Sequence, residues 1–183
     1  MAFSMKLWKV GGEKLAEVSK SVLNKEERLE NWIVADPTIL GMDVLLIGQQ
    51  VITTYGGEID LLAMDGEANL VILELKRDRT PREVVAQTLD YASWVKSLSY
   101  QELDAITHKL LGKNLKDVFE ARFGFSSPET VNSSHSMVIL ASELDDSSER
   151  IVQYLAEDYE STSTLSFSPS SNRTATNSWD GLG

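Results

Sequence analysis

The sequence predicts an α/β fold, a central mixed β-sheet flanked by helices. Three observations lead there. The strand-like runs Val44–Thr53, Glu58–Met64 and Leu70–Lys76 follow one another with tight turns between them. Helical segments with capping signals stand before and after them, and a further strand, Ser136–Ala141, returns after the helices. The order is α-β-β-β-α-(α-α)-β-α, the alternation of a layered α/β domain.

Each element has a local reason. Lys6–Val10 and Leu15–Val18 read as two short strands around Gly11-Gly12. Asn24 is placed to cap a helix with Glu27 three residues on; Leu29, Trp32 and Ile33 keep helical spacing, and Pro37 closes the segment. The turns at Tyr55-Gly56-Gly57 and Asp65-Gly66 favour antiparallel neighbours. Val71-Ile72-Leu73 is apolar without alternation, which predicts a strand covered on both faces. Thr80-Pro81-Arg82-Glu83 has the form of a helix start, with Thr80 as cap and Pro81 at the first position, and that helix is expected to run to about Leu98. Ser99–Glu102 is a second capping box, opening a helix toward Leu111; Leu115–Phe123 is a third helix, and Asp146–Tyr159 a last one with Ile151, Val152 and Leu155 inward. Three parts are expected: a short hairpin appendage over 1–23, the α/β domain over 24–160, and a Ser/Thr-rich tail over 161–183, largely disordered with at most one strand at Thr164–Phe167.

Composition narrows the function classes. The 183 residues suffice for one domain with a real core. No apolar run approaches the ~20 residues of a membrane-spanning helix, and the first residues do not have the form of a secretory signal. Cysteine is absent, which excludes disulfides and thiolate-bound zinc and makes a cytoplasmic location the expectation. The net charge of −11 opposes general affinity for nucleic acid. Its distribution softens that objection, because residues 76–122 carry nine basic and seven acidic side chains while both flanks are acidic. A local basic mouth on a repelling body predicts weak, salt-sensitive DNA binding. No phosphate-loop glycine pattern, H-E-x-x-H or nucleophile elbow occurs.

One constellation carries chemistry: Asp60 after Gly56-Gly57-Glu58-Ile59, then Glu74-Leu75-Lys76, then Gln87 through Tyr91. In a strand, residues two apart share a face, so Glu74 and Lys76 lie together and the Leu75 carbonyl is close by. If the strands pair through the Asp65-Gly66 turn, Asp60 and Glu74 approach each other, and paired carboxylates require a proton or a cation. Mg²⁺, with Mn²⁺ as substitute, suits two carboxylates, a carbonyl, water and phosphate oxygens. It would activate a water for attack on a phosphodiester, with Lys76 orienting that water or stabilising the transition state. Gln87 and Tyr91 are one helical turn apart and share a face. Glu26 and Glu30 share a face of the first helix, and either is a candidate third carboxylate or a solvated surface residue. Arg77, Arg79 and Arg82 suit phosphate contacts, although Asp78 is an available partner for one of them. An E-x-K tripeptide alone is an ordinary strand-edge salt bridge; the preceding Asp, the apolar strand and the following helix alter that balance. Trp8, Trp32 and Trp94 read as core, and His108 and His135 as structural or surface residues.

These residues resemble the PD-(D/E)xK nuclease superfamily, and within it the RecB-like and NucS-like (DUF91-type) endonuclease domains. Asp60 matches the first acidic position, with Ile59 where the superfamily's name has proline. Glu74 and Lys76 match the E-x-K pair, Gln87 to Tyr91 the Q-x-x-x-Y motif, and Glu26, in Glu26-Glu27-Arg28-Leu29, the helical glutamate, with Glu30 as its alternative in register. The resemblance covers residues ~24–98 well and ~136–159 more loosely. It implies a restriction-endonuclease-like core of αβββαβ order and a divalent-metal-dependent DNA endonuclease with a DNA-repair role. Asp60, Glu74 and the Leu75 carbonyl would hold the metal, and Lys76, Gln87, Glu26 and Tyr91 would complete the site. DNA is the implied partner, with no membrane role. A homodimer is consistent with cutting two strands. The separate DNA-binding domain of NucS-like enzymes does not fit within residues 1–23, so another protein or domain would supply it. The other reading from the residues is a non-catalytic nucleic-acid- or partner-binding module that keeps the nuclease fold.

Overall fold

The computed structural model describes residues 8–11, 14–17, 26–80 and 82–157. Strands β1 (Trp8–Gly11) and β2 (Lys14–Glu17) pair antiparallel as a separate two-stranded sheet. Helix α1 (Glu26–Ala35) follows and stops before Asp36, whose side chain caps the 3-10 turn Pro37–Leu40. Strands β3 (Val44–Ile52), β4 (Glu58–Asp65) and β5 (Leu70–Thr80) form the antiparallel meander that the tight turns require. Helices α2 (Glu83–Val95), α3 (Tyr100–Leu111) and α4 (Leu115–Phe123) lead to β6 (His135–Leu144), which joins β5 in parallel, and to α5 (Asp146–Glu157). The sheet order is β3-β4-β5-β6, a mixed four-stranded sheet flanked by helices, which is the α/β architecture expected. The expected tail and its strand at Thr164–Phe167 lie outside the described residues, as does the Asn24 cap.

Both sheet faces are covered. Leu62, Met64, Leu70 and Ile72 pack with Tyr91, Trp94 and Val95 of α2 and with Leu103 and Phe119 of α3 and α4. On the other face Leu61, Ala63, Val71, Leu73 and Leu75 pack with Ile33 of α1. Val71, Ile72 and Leu73 are all buried, as their unbroken apolar run predicts. Helix α5 closes a smaller cluster of Val152, Val84, Val85, Ile139 and Ala141.

Two local expectations change. Thr80 does not cap α2: β5 runs past Lys76 through an irregularity and pairs Thr80 with Leu144, so α2 begins at Glu83 behind Arg82, which makes no side-chain cap bond. Long-range pairing with β6 outweighs the local capping signal there. By contrast, the Ser99–Glu102 capping box forms in full. Trp32 is not core: it is 47% exposed, with the Arg28 guanidinium 5.1 Å from its ring centroid. Trp94 is buried as expected, and the side chain of Trp8 is not among those described.

Candidate active site

The site begins where the sheet splits. Strands β4 and β5 pair from Met64↔Leu70 to Leu61↔Leu73, and there the ladder stops, while β5 continues beside β6. The next antiparallel step sets Asp60 opposite Glu74. A split leaves backbone donors without a strand partner, and buried N–H groups need one. Asp60 supplies it: the Leu75 amide donates to Asp60 Oδ2 at 2.7 Å. N–H and C=O of one strand residue face the same flank, so the Leu75 carbonyl also faces the Asp60 side.

Asp60 is aimed by a local irregularity. Ile59 packs in the cluster beneath α2–α4, yet Leu61 packs in the opposite one, so simple alternation does not run through Asp60. Across the ladder Gln49 pairs with Leu61 and Val51 with Ile59, and Gln50 between them has φ +48. Breaks of this kind re-aim a side chain beside a site. Here the carboxylate reaches sideways to β5.

Glu74 is 1% exposed, and its Oε1 lies 2.7 Å from Lys76 Nζ. Positions two apart on one strand do share a face, as predicted. A carboxylate this deep is stable as an anion only when paired, and the Lys76 ammonium is one partner.

Glu30 on α1 is the helical carboxylate that the structure brings into play. It is 6% exposed and accepts a hydrogen bond from Gln49 Nε2 at 3.0 Å. Burial pushes its carboxyl above the usual range, and the charges of Asp60 and Glu58 add to that, while hydrogen bonds from Gln49 and Gln50 act the other way. Gln49 and Gln50 were not singled out from sequence; two adjacent amides within an otherwise apolar strand were the available signal. The side chain of Glu26 lies outside those described.

Gln87 is exposed and donates from Nε2 to the Tyr91 hydroxyl. Tyr91 is 2% exposed, and its ring lies so close to Gly57 that a Cβ there would fall 2.5 Å from Cε1. The Gln87–Tyr91 pair therefore braces the β3–β4 turn just ahead of Asp60, and the described contacts of Gln87 go to Tyr91 rather than to a carboxylate. Arg79 pairs with Glu143 along the β5–β6 ladder, while the side chains of Arg77 and Arg79 lie outside those described. Arg82 is exposed and lies 3.6 Å from Glu83, a surface pair of small worth. His108 is exposed and His135 half-buried at the far end of the sheet; burial and then the Lys96 charge lower the His135 pKa.

Asp60, Glu74, the Leu75 backbone and Lys76 thus gather at one sheet end, with Glu30 electrostatically coupled to Asp60. Among the described residues no three acidic, histidine or cysteine side chains form a metal-holding group. The donor set that remains, two carboxylates and a carbonyl, is all hard oxygen. That is a fit to Mg²⁺, which commonly takes one or two carboxylates from the protein and keeps several waters. Among the described residues no helix is long and apolar enough to cross a membrane.

No family model matches the chain, and no curated protein matches it. Among solved structures it is similar to a repair endonuclease from Pyrococcus abyssi, at 17% identity and a TM-score of 0.46, covering 81% of this chain and 48% of that one. It is also similar to EndoMS in a complex with double-stranded DNA, at 14% identity and a TM-score of 0.49, covering 83% and 48%, and to EndoMS in its apo form, at 14% and 0.48, covering 85% and 50%. The chain spans about half the length of these structures.

Proposed function

We propose that this chain is a divalent-metal-dependent DNA endonuclease of the PD-(D/E)xK type. The observation that carries the reading is the bond from the Leu75 amide to Asp60. It joins the first acidic position to the Glu74–Lys76 strand across the split in the sheet, in the order the motifs require. Asp60, Glu74 and the Leu75 carbonyl would hold Mg²⁺ or Mn²⁺. When bound, such an ion supplies Lewis acidity and offsets charge on the phosphodiester.

The rest falls to the chain's own residues. Glu74 holds the Lys76 ammonium at 2.7 Å, so that the lysine is fixed where it can donate hydrogen bonds to an attacking water and to developing phosphoryl charge. As an ammonium it orients and stabilises; it does not accept the water's proton. Glu30, with its raised pKa, is a carboxyl suited to holding a proton near Asp60. Gln87 acts through Tyr91 by fixing the turn that precedes Asp60. Arg77, Arg79 and Arg82 follow directly after the site and would contact backbone phosphates.

The test is calorimetric titration of Mn²⁺ and Mg²⁺ followed by nicking of supercoiled plasmid. Wild type should bind metal and nick. Lys76→Ala should bind metal with nicking reduced by about a thousandfold or more, as for loss of a main electrostatic stabiliser. Nicking retained in Lys76→Ala would remove this mechanism. The Glu74–Lys76 pair is also what an ordinary strand salt bridge looks like, which favours a second reading, a nucleic-acid- or partner-binding module without turnover. Salt-sensitive DNA binding with no cleavage under either ion would select it.

A further inference from the structure

Strand β6 ends the sheet, and its outer edge faces no other described strand. The ladder fixes which backbone groups lie on that edge. Leu70 donates to the Ser134 carbonyl at 3.1 Å, so in the parallel pairing Ser136, Val138 and Leu140 turn their N–H and C=O toward β5. Those of Ile139 and Ala141 then turn outward. Ile139 is fully buried and Ala141 nearly so. Backbone groups at that depth need partners, and an open edge is a template for a further strand. Helix α5 is incompletely covered at the same place: Val152 is buried, while Ile151 and Leu155 are only partly so. A crossover helix packs onto both strands that it joins, and the described residues place one, β6, beneath α5.

Chain direction selects the occupant. Strands β5 and β6 are parallel and are joined through α2, α3 and α4, which pack on the face of Leu70, Ile72 and Met137. Ile139 and Ala141 continue that face by twos from Met137, and they cluster with Val84 and Val85 of α2 and Val152 of α5. Helix α5 thus lies on the same face as α2. Parallel crossovers are right-handed in about 98% of cases. A second crossover over the same face therefore steps onward in the same direction, from β6 to its free edge. Lengths agree with this. The 12 residues of α5 return ~18 Å at ~1.5 Å each, which is level with about Ile139 at ~3.3 Å per strand residue. Residues 158–161 suit the loop from a helix to a strand, commonly about 2–6 residues long. Next come Thr162-Ser163-Thr164-Leu165-Ser166-Phe167-Ser168, which lie outside the described residues. They alternate polar and apolar from Thr164 to Ser168, and Pro169 closes the run.

We infer that residues 162–168 take the outer edge of β6 as a further parallel strand, with Leu165 and Phe167 beneath Ile151 and Leu155 of α5. The docking surface is the β6 edge, and its occupant is this chain's own segment. Ile139 pairs with Glu74 and Ala141 with Lys76, so the added strand backs the ladder that carries both side chains. The inference goes beyond the endonuclease reading and stands without it.

The experiment is amide hydrogen exchange, read by NMR on the full chain, in wild type, Leu165→Asp and Phe167→Asp. In wild type the Ile139 and Ala141 amides should exchange as slowly as those of Val138 and Leu140. In either variant they should exchange about tenfold faster or more, the scale of one lost hydrogen bond, while Val138 and Leu140 keep their wild-type rates. Leu165→Val should behave as wild type, since it keeps an apolar, strand-forming residue on the same face. A nitroxide on Ser168→Cys, the sole thiol in a chain without cysteine, should broaden Ile139 and Ala141 more than Gly48 and Val51 on β3, at the opposite edge of the sheet. Fast exchange at Ile139 and Ala141 in wild type, or protection there that both Asp variants leave intact, would overturn the inference. Equal acceleration of all four amides would do so too, since it marks a general loosening of the sheet. Protection that falls on dilution would assign the edge to a second copy of the chain and overturn it as well.

Discussion

Replacing Asp60 separates its structural role from its chemical one. Its Oδ2 accepts the Leu75 amide at 2.7 Å, at the point where β4 no longer pairs with β5. Asp60→Ala removes the acceptor and leaves that amide without its partner at the edge of the core. A hydrogen bond to a charged group contributes about 1.5–3 kcal/mol, and an unsatisfied buried donor costs about 1–3 kcal/mol. One effect works in the opposite direction: the Asp60 charge is among those that raise the Glu30 pKa, so its removal relieves repulsion. A net loss of about 2 kcal/mol is expected, or about 4–8 °C in Tm for a domain of this size. Asp60→Asn keeps a carbonyl oxygen in the same place and should lose about 1 kcal/mol or less. Thermal unfolding by circular dichroism gives the two Tm shifts, and hydrogen exchange reads the Leu75 amide directly. That amide should exchange faster in Asp60→Ala and stay protected in Asp60→Asn, while neither variant nicks plasmid, since the neutral amide cannot replace an anionic ligand. An Asp60→Ala protein with wild-type Tm and a protected Leu75 amide would show that the sheet split is closed by something else.

Glu30→Gln keeps the acceptor for Gln49 and removes a buried charge. The folded pKa of Glu30 lies above its ordinary 4.5, so its stabilising contribution is full below that value and is lost as pH rises through the folded pKa. The variant should therefore have a higher Tm than wild type at pH 7, by a margin that narrows toward pH 4.5; a pH-independent difference would contradict the assignment. His135 has the opposite dependence: its folded pKa lies below 6.5, so wild-type stability is full above that and falls as pH drops through the folded value. His135→Asn should flatten the stability profile between pH 7 and 5, and an unchanged slope in urea melts would exclude His135 as its source. Gly57→Ala puts a Cβ 2.5 Å from Tyr91 Cε1 and 3.3 Å from Thr53 Oγ1, an overpacking of about 1–3 kcal/mol measurable as a lower urea midpoint. No change there would mean that the Tyr91 ring does not brace the turn.

What the sequence determined by itself were features with short-range causes. Strand periodicity placed β3, β4 and β5, and Glu74 and Lys76 share a face because a strand repeats every two residues. The Ser99–Glu102 box formed because both of its bonds lie within one turn of helix. Only the tertiary structure decided features whose partners are distant along the chain. The Thr80 signal is as good locally as that at Ser99, but β6 pairs with Thr80 across an interval of more than sixty residues and holds it in a strand. Glu30 is buried rather than solvated, and the partner that its carboxylate meets there, Gln49, lies on another element. The direction of Asp60 rests on a break in alternation and on an amide fifteen positions away, where the sheet parts and a backbone donor must find an acceptor. Local patterns record which residues can share a face; which of them meet is settled by pairing, and pairing is a property of the folded chain.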